Sequence, residues 1–227
     1  MKEEWRLMGP SLPPQLTQGA SLAQAAAAAL DGDGDLEGMR FADGEMDGLS
    51  GKTLDVRGCA FERCRFGDND FKRVSFVDCT FDKCEWSNAR LQNAAIQRAR
   101  FRGCRMTGLE IMQGALMNVS FDGCMLDYVS FAECKLDRAA FSDCRLRESL
   151  WSEVRLLKAR FDHSDLERAQ WARTPLMGLD MTTCRIGGWR ISLYDLRGAK
   201  VTAAQVIELA TGDKAEMKVP VIDDTQA

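Results

Sequence analysis

The chain contains a single histidine, His163, among 227 residues. That scarcity limits the chemistry available, because histidine is the side chain that titrates near neutrality and most often serves as a general base. No run of 18 or more apolar residues occurs, so a membrane-spanning helix is not expected. A glycine-rich phosphate loop is missing as well. Nor is there an excess of one charge in the body of the chain. Residues 36–201 hold 26 Lys+Arg against 24 Asp+Glu, and the flanks hold 4 against 10, which together give the net charge of -4. A near-neutral body with acidic ends has no strong field to steer a polyanion.

What the sequence does have is a frame. From Leu36 to Val201 an apolar residue returns at every fifth position, and among these positions only Gly51 is not apolar. All eleven Phe fall in this frame, a coincidence expected on the order of once in ten million random arrangements. A period of five fits neither the 3.6 of a helix nor the 2 of a long strand. Two residues in five point inward, the frame residue and the small residue two places before it, and the chain turns after each short side. A second period sets the number of sides. Phe41, Phe61, Phe81, Phe101, Phe121, Phe141 and Phe161 recur every twenty residues, and so do Cys64, Cys84, Cys104, Cys124, Cys144 and Cys184, with Ser164 in the missing place. Like residues stack on like in adjacent repeats, so a coil has twenty residues and four sides.

The nine cysteines (these six with Cys59, Cys79 and Cys134) all stand two places before a frame residue, a position shared with Ala89, Ala94 and Ala99. An odd number in a position that wants a small inward side chain indicates free, structural thiols in a reducing, cytoplasmic compartment.

The units Cys-Arg-Phe (64–66), Cys-Thr-Phe (79–81), Ser-Asp-Leu-Glu-Arg (164–168) and Tyr-Asp-Leu-Arg-Gly (194–198) resemble the pentapeptide-repeat family over about three-quarters of the chain. The resemblance implies an all-β solenoid, a right-handed quadrilateral β-helix. At about 4.8 Å per coil, some eight coils make a rod roughly 40 Å long. It also implies, from some family members, a homodimer contact at the C-terminal end. From the quinolone-resistance members it implies an alternative role, mimicry of DNA toward gyrase or topoisomerase.

Three segments follow: a lead and capping helix over 1–35, the repeat over 36–201, and a capping helix and tail over 202–227. Residues 1–20 contain Pro10, Pro13 and Pro14 without periodicity, and are expected to be extended on the surface or disordered. Ser21 can cap a helix through the Ala-rich run to Leu30. Asp31, Asp33 and Asp35 resemble the start of a calcium loop, but Leu36 and Ala42 stand where an EF-hand needs Gly and Glu, so a solvated acidic turn is expected. Gly51 is the weakest centre, and the first coils are expected to fit imperfectly. Trp189 and Tyr194 take small-residue positions and are expected to plug the end of the core. Thr202 to Gln205 read as a capping box, with Val206, Ile207 and Leu209 as the helix's apolar face and Gly212 as its end. A short strand is expected at Lys218–Ile222.

No catalytic, cofactor-binding or metal-binding residue emerges. Asp162, His163 and Ser164 are contiguous, and adjacent residues on a corner cannot meet in triad geometry. The cysteine ladder points into a filled core and not toward one point, as tetrahedral ligation would require. Glu62, Asp82, Asp122 and Asp162 share a column, but a convex rod supplies no cleft. The Arg98, Arg100, Arg102 and Arg105 cluster has acidic columns beside it and no interleaved aromatics, which argues against direct nucleic-acid binding. The expected role is therefore a non-enzymatic scaffold or protein-interaction rod with an unidentified protein partner and no membrane contact. Its candidate surface is the outward column Val77, Met117, Leu157 and Met177, with Gln97 and Asp137 interspersed.

Overall fold

The computed structural model describes residues 6–31 and 35–211. The seventeen strands among them form one parallel sheet wound upon itself. Successive coils pair residue for residue at a spacing of twenty, as in Phe61 with Phe81, Phe101 with Phe121, and Trp151 with Trp171. The result is a four-sided parallel β-helix of about eight coils. The first side is centred on residues such as Val56, Ile96 and Leu136, the second on the Phe ladder, the third on Phe66, Trp86 and Leu126, and the fourth on Phe71, Phe131 and Trp151. The frame residues from Val56 to Trp151 are at most 2% exposed. Ring centroids in the Phe ladder lie 4.6 to 5.7 Å apart with planes within 10° of parallel, which is the coil spacing imposed by the ladder of hydrogen bonds.

Most turns of the coils have a common device. Among the described residues every one with positive φ stands two places after a frame residue: nine glycines, and twenty others such as Asp78, Asn93, Arg98 and Lys158 at φ 48° to 60°. A left-handed residue redirects the chain by a right angle in one step. The conformation costs a non-glycine residue of order 1 kcal/mol, which the inter-coil hydrogen bonds offset. The position two before the frame residue has its own duty. Ser164 Oγ donates to the carbonyls of Phe141 and Asp162 and accepts from Cys144 N, and Thr174 Oγ1 does the same two sides further on. The cysteine thiols donate more weakly to the equivalent carbonyls, Cys104 Sγ to Phe81 O and Arg102 O at 3.4 and 3.6 Å. These thiols are therefore inter-coil ties as well as small apolar fillers.

The expected weak point at Gly51 appears as a slip of register. Ser50 pairs with Asp70 and Lys52 with Phe71, and Thr53 with Arg73 restores the spacing of twenty. A bulge accommodates the residue that has no side chain to seat, and pairing continues.

Both ends are closed. Helix α1 (Leu22–Asp31) buries Leu22, Ala26 and Ala29, one stripe at helical spacing, and Ser21 Oγ accepts from Gln24 N at its start. The acidic turn proposed at 31–35 lies mostly outside the described residues. At the other end α3 (Ala203–Thr211) begins with the reciprocal box, Thr202 N to Gln205 Oε1 and Gln205 N to Thr202 Oγ1. Its inner stripe is not the expected one. Gln205 and Leu209 face the rod, whereas Val206 and Ile207 are more than half exposed. Gln205 is turned inward because its Nε2 caps the carbonyls of Met181 and Cys184, which have no further coil to bond. Gly212 and Lys218–Ile222 lie outside the described residues.

The expected aromatic plug is half realised. Trp189 is 8% exposed and donates to Leu166 O, but Tyr194 is 76% exposed. The chain over Leu193–Leu196 winds as a short helix, α2, capped by Ser192, and this rotates Tyr194 outward and Asp195 inward.

Candidate interaction surface

The pairing register places Val77, Gln97, Met117, Asp137 and Leu157 in one column on the first side of the rod. Val77 and Met117 are half-buried and line a shallow groove of about 320 Å³ with Ser75, Ala95, Ala115 and Lys135. Leu157 and Met177 are exposed, 46% and 64%. Met177 lies one coil further, over Gly198, whose missing Cβ makes room for its thioether. The four apolar residues thus share one face, graded from partly covered to open.

The charges do not segregate. Arg63 pairs with Asp43, Arg65 with Glu45, Arg98 with Asp78, Arg102 with Asp82, Arg105 with Glu85 and Arg173 with Glu153, each partner one coil away. The expected arginine cluster is therefore dispersed: Arg98, Arg102 and Arg105 are each neutralised by a carboxylate on the preceding coil. The acidic column is interrupted in the same way, because Arg102 sits between Asp82 and Asp122. Hydrogen bonds from Arg63 hold the Asp43 carboxyl below its ordinary range, and those from Arg40 and Arg63 do the same for Glu62. Such exposed pairs add little stability singly, but they leave no continuous line of one sign.

The chemistry-bearing side chains stay apart. His163 is exposed, Ser164 is 1% exposed and points inward to its carbonyl partners, and Asp162 pairs with Arg160. All nine cysteines are free and buried. Burial pushes the Cys134 thiol up to about 11 and Cys79 up to about 12, the reverse of what a reactive thiol needs. Among the described residues no group of His, Cys, Asp and Glu could hold a metal ion.

The last coil carries a hollow that sequence reasoning missed. It has a volume of about 510 Å³ and opens where α2 replaces a strand, between Trp171, Arg173 and Pro175 on one side and Arg190, Tyr194 and Asp195 on the other. Asp195 Oδ2 accepts from Ser192 Oγ, while Oδ1 is buried without a partner among the described residues. No periodic signal announces it, because it arises where the period ends.

A twenty-residue register, left-handed corners recurring along the coils and a ladder of stacked frame residues are now in view, and the family model described as pentapeptide repeat region matches residues 54–131 and 113–171, just over half of the chain. The chain belongs to the pentapeptide-repeat family. Among curated proteins none matches it. Several solved structures share the coil type at low identity. Full-length QnrB1, a plasmid-mediated fluoroquinolone resistance protein, is 18% identical, with 78% of this chain and 98% of that chain covered and a TM-score of 0.27. HetL, a pentapeptide repeat protein involved in heterocyst differentiation regulation from Nostoc sp. strain PCC 7120, is 13% identical, with 80% and 97% covered and a TM-score of 0.22. The pentapeptide repeat protein Rfr23 from Cyanothece 51142 is 9% identical, with 79% and 99% covered and a TM-score of 0.25. Likenesses of this order carry nothing about the role of this chain.

Proposed function

We propose that this pentapeptide-repeat protein is a non-enzymatic scaffold that binds a protein partner along the first side of its rod. The observation that carries the reading is the column Val77, Met117 and Leu157, aligned by the register beside the groove with Met177 one coil further, an apolar face on a body where many charges pair from coil to coil. Replacing Met117 and Leu157 together by Glu is expected to abolish binding of the partner isolated from the native host, with an unchanged β circular-dichroism signal. Unchanged binding would exclude this face.

The alternative, mimicry of DNA toward a topoisomerase, finds little support in the charge pattern. A phosphate substitute needs a continuous line of negative charge, and here Arg102 divides the acidic column. Rescue of gyrase supercoiling from a quinolone by the purified protein would favour mimicry over the scaffold reading.

Association of two copies through the C-terminal end is supported by the exposed Leu193, Tyr194, Val206 and Ile207 gathered there. Sedimentation equilibrium is expected to report a dimer that Ile207→Glu dissociates; a monomer at all concentrations would refute it. The nine free, buried thiols support a reducing compartment such as the cytoplasm. Among the described residues no helix is long and apolar enough to cross a membrane.

A further inference from the structure

The N-terminal lead does not wander over the rod. It runs along one corner, the column of left-handed residues Gly38, Gly58, Asp78, Arg98 and Asn118, with Arg138 next. Met8 N donates to Asn118 Oδ1 at 3.3 Å and Ser11 N to Asp78 Oδ1 at 2.9 Å. Pro13 lies over Gly58 and Gly38, and a Cβ at Gly58 would meet its ring at 2.9 Å. Thr17 and Gln18 then join the sheet beside Met39 and Arg40.

The two acceptors are aimed by arginines one coil further on. Arg98 Nε and Nη2 hold both oxygens of Asp78 at 2.7 and 2.6 Å, and Arg138 Nε holds Asn118 Oδ1 at 2.9 Å. Asn118 is only 4% exposed. Each acceptor therefore stands ready with one direction left for a main-chain N–H. Their spacing selects the guest. Two coils rise about 9.6 Å, and three residues of a polyproline-type chain rise about 9.3 Å. A chain of that type offers one N–H to each acceptor at every third residue, here residues 8 and 11. Beyond Asp78 the side-chain acceptors stop. The column continues as Gly58 and Gly38, which have no side chain and so leave room; Pro13 lies against both, and Thr17 N then donates to Gly38 O at 2.8 Å. Track and segment agree at Met8, Ser11 and Pro13. The agreement is with main-chain groups and prolines, so it is not private to this segment.

We propose that this corner is a recognition track for an extended, proline-containing peptide, and that the lead is its built-in occupant, which a segment of the same pattern from another protein displaces. The proposal does not require the first-side groove to bind anything, although the two adjoin: Val77 and Met117 are the chain neighbours of Asp78 and Asn118. The exposure of that column follows the lead, half-buried beside it at Val77 and Met117 and open beyond it at Leu157 and Met177. Displacing the lead would uncover the rest.

The test uses the full chain and a fluorescently labelled peptide of residues 6–14, with binding read by anisotropy. Ser11→Pro removes the N–H that reaches Asp78 while keeping the extended conformation, and so vacates the track; Ser11→Ala keeps the N–H. The Ser11→Pro protein is expected to bind the peptide saturably, and the native and Ser11→Ala proteins about tenfold more weakly, the factor equivalent to one hydrogen bond to a charged acceptor. Adding Asp78→Gly and Asn118→Gly to Ser11→Pro should abolish binding. Glycine suits the left-handed corner, as Gly38 and Gly58 show, and an unchanged cooperative melt would confirm that the rod is intact. No saturable binding to the Ser11→Pro protein, binding that survives the two glycines, or equal binding to the native chain would each overturn the proposal.

Discussion

Three tryptophans of the rod core differ in one atom of their surroundings, and the difference makes a quantitative prediction. Trp151 Nε1 donates to Ser149 Oγ at 3.0 Å, and Ser149, two places earlier in the chain, is fully buried. Trp171 stacks on Trp151 with centroids 5.0 Å and planes 12° apart, so its indole repeats the same pose one coil on. Ala169 stands where Ser149 did, and Trp171 Nε1 is buried with no partner among the described residues. Trp86, with Cys84 in that place, is in the same position. Ser149→Ala should orphan a third indole N–H and cost about 1–3 kcal/mol, the penalty for a buried donor left unmade. Ala169→Ser should supply the missing acceptor and gain about 0.5–1.5 kcal/mol, the net worth of a buried hydrogen bond. For a chain of this size that is roughly 2–4 °C per kcal/mol in the melting temperature. Urea unfolding followed by tryptophan fluorescence measures both, provided the denaturant slope is unchanged, since a solenoid can unfold in parts. A neutral Ser149→Ala, or an Ala169→Ser that destabilises by 1 kcal/mol or more, would refute the reasoning.

None of the nine thiols should react with a thiol reagent in the native protein, and all should react in denaturant; rapid labelling of any of them under native conditions would contradict their burial. The hydrogen bonds from Arg98, and to a lesser degree from Ser11 N, hold the Asp78 carboxyl below its ordinary range despite partial burial. A depressed folded-state value means its stabilising contribution is complete above the unfolded value near 3.9 and is lost as pH falls through the lower folded value. The Ser11 amide should therefore stay protected from exchange down to about pH 4 and lose protection below it; loss already at pH 5 would show that Asp78 does not anchor the lead.

Much of this was legible before any coordinate. A five-residue unit alternates inward and outward within itself, so the frame from Leu36 to Val201 exposes the core directly, and Phe41 to Phe161 disclose the coil because identical rings stack best upon one another. The assignment of Cys64, Cys84 and Cys104 to packing followed from the same register. Errors gathered where the register ends. Tyr194 kept its place in the count but lost its place in space once Ser192 nucleated a helical turn. Val206 and Ile207 looked like an inner face until the open carbonyls of Met181 and Cys184 drew Gln205 inward. The arginines that cluster in the chain at 98–105 separate onto different sides of a coil, because five residues of sequence are a quarter turn in space.

The sequence alone thus determined the period, the number of sides, the core and the inward place of its cysteines, since each depends on a local pattern repeated many times. Only the tertiary structure decided which residue turns each corner, which carboxylate neutralises which arginine, and where the lead lies. Met8 meets Asn118 across 110 residues of chain. Such a contact occurs once, with no repeat to average over, and nothing short of the folded coil brings its two halves together.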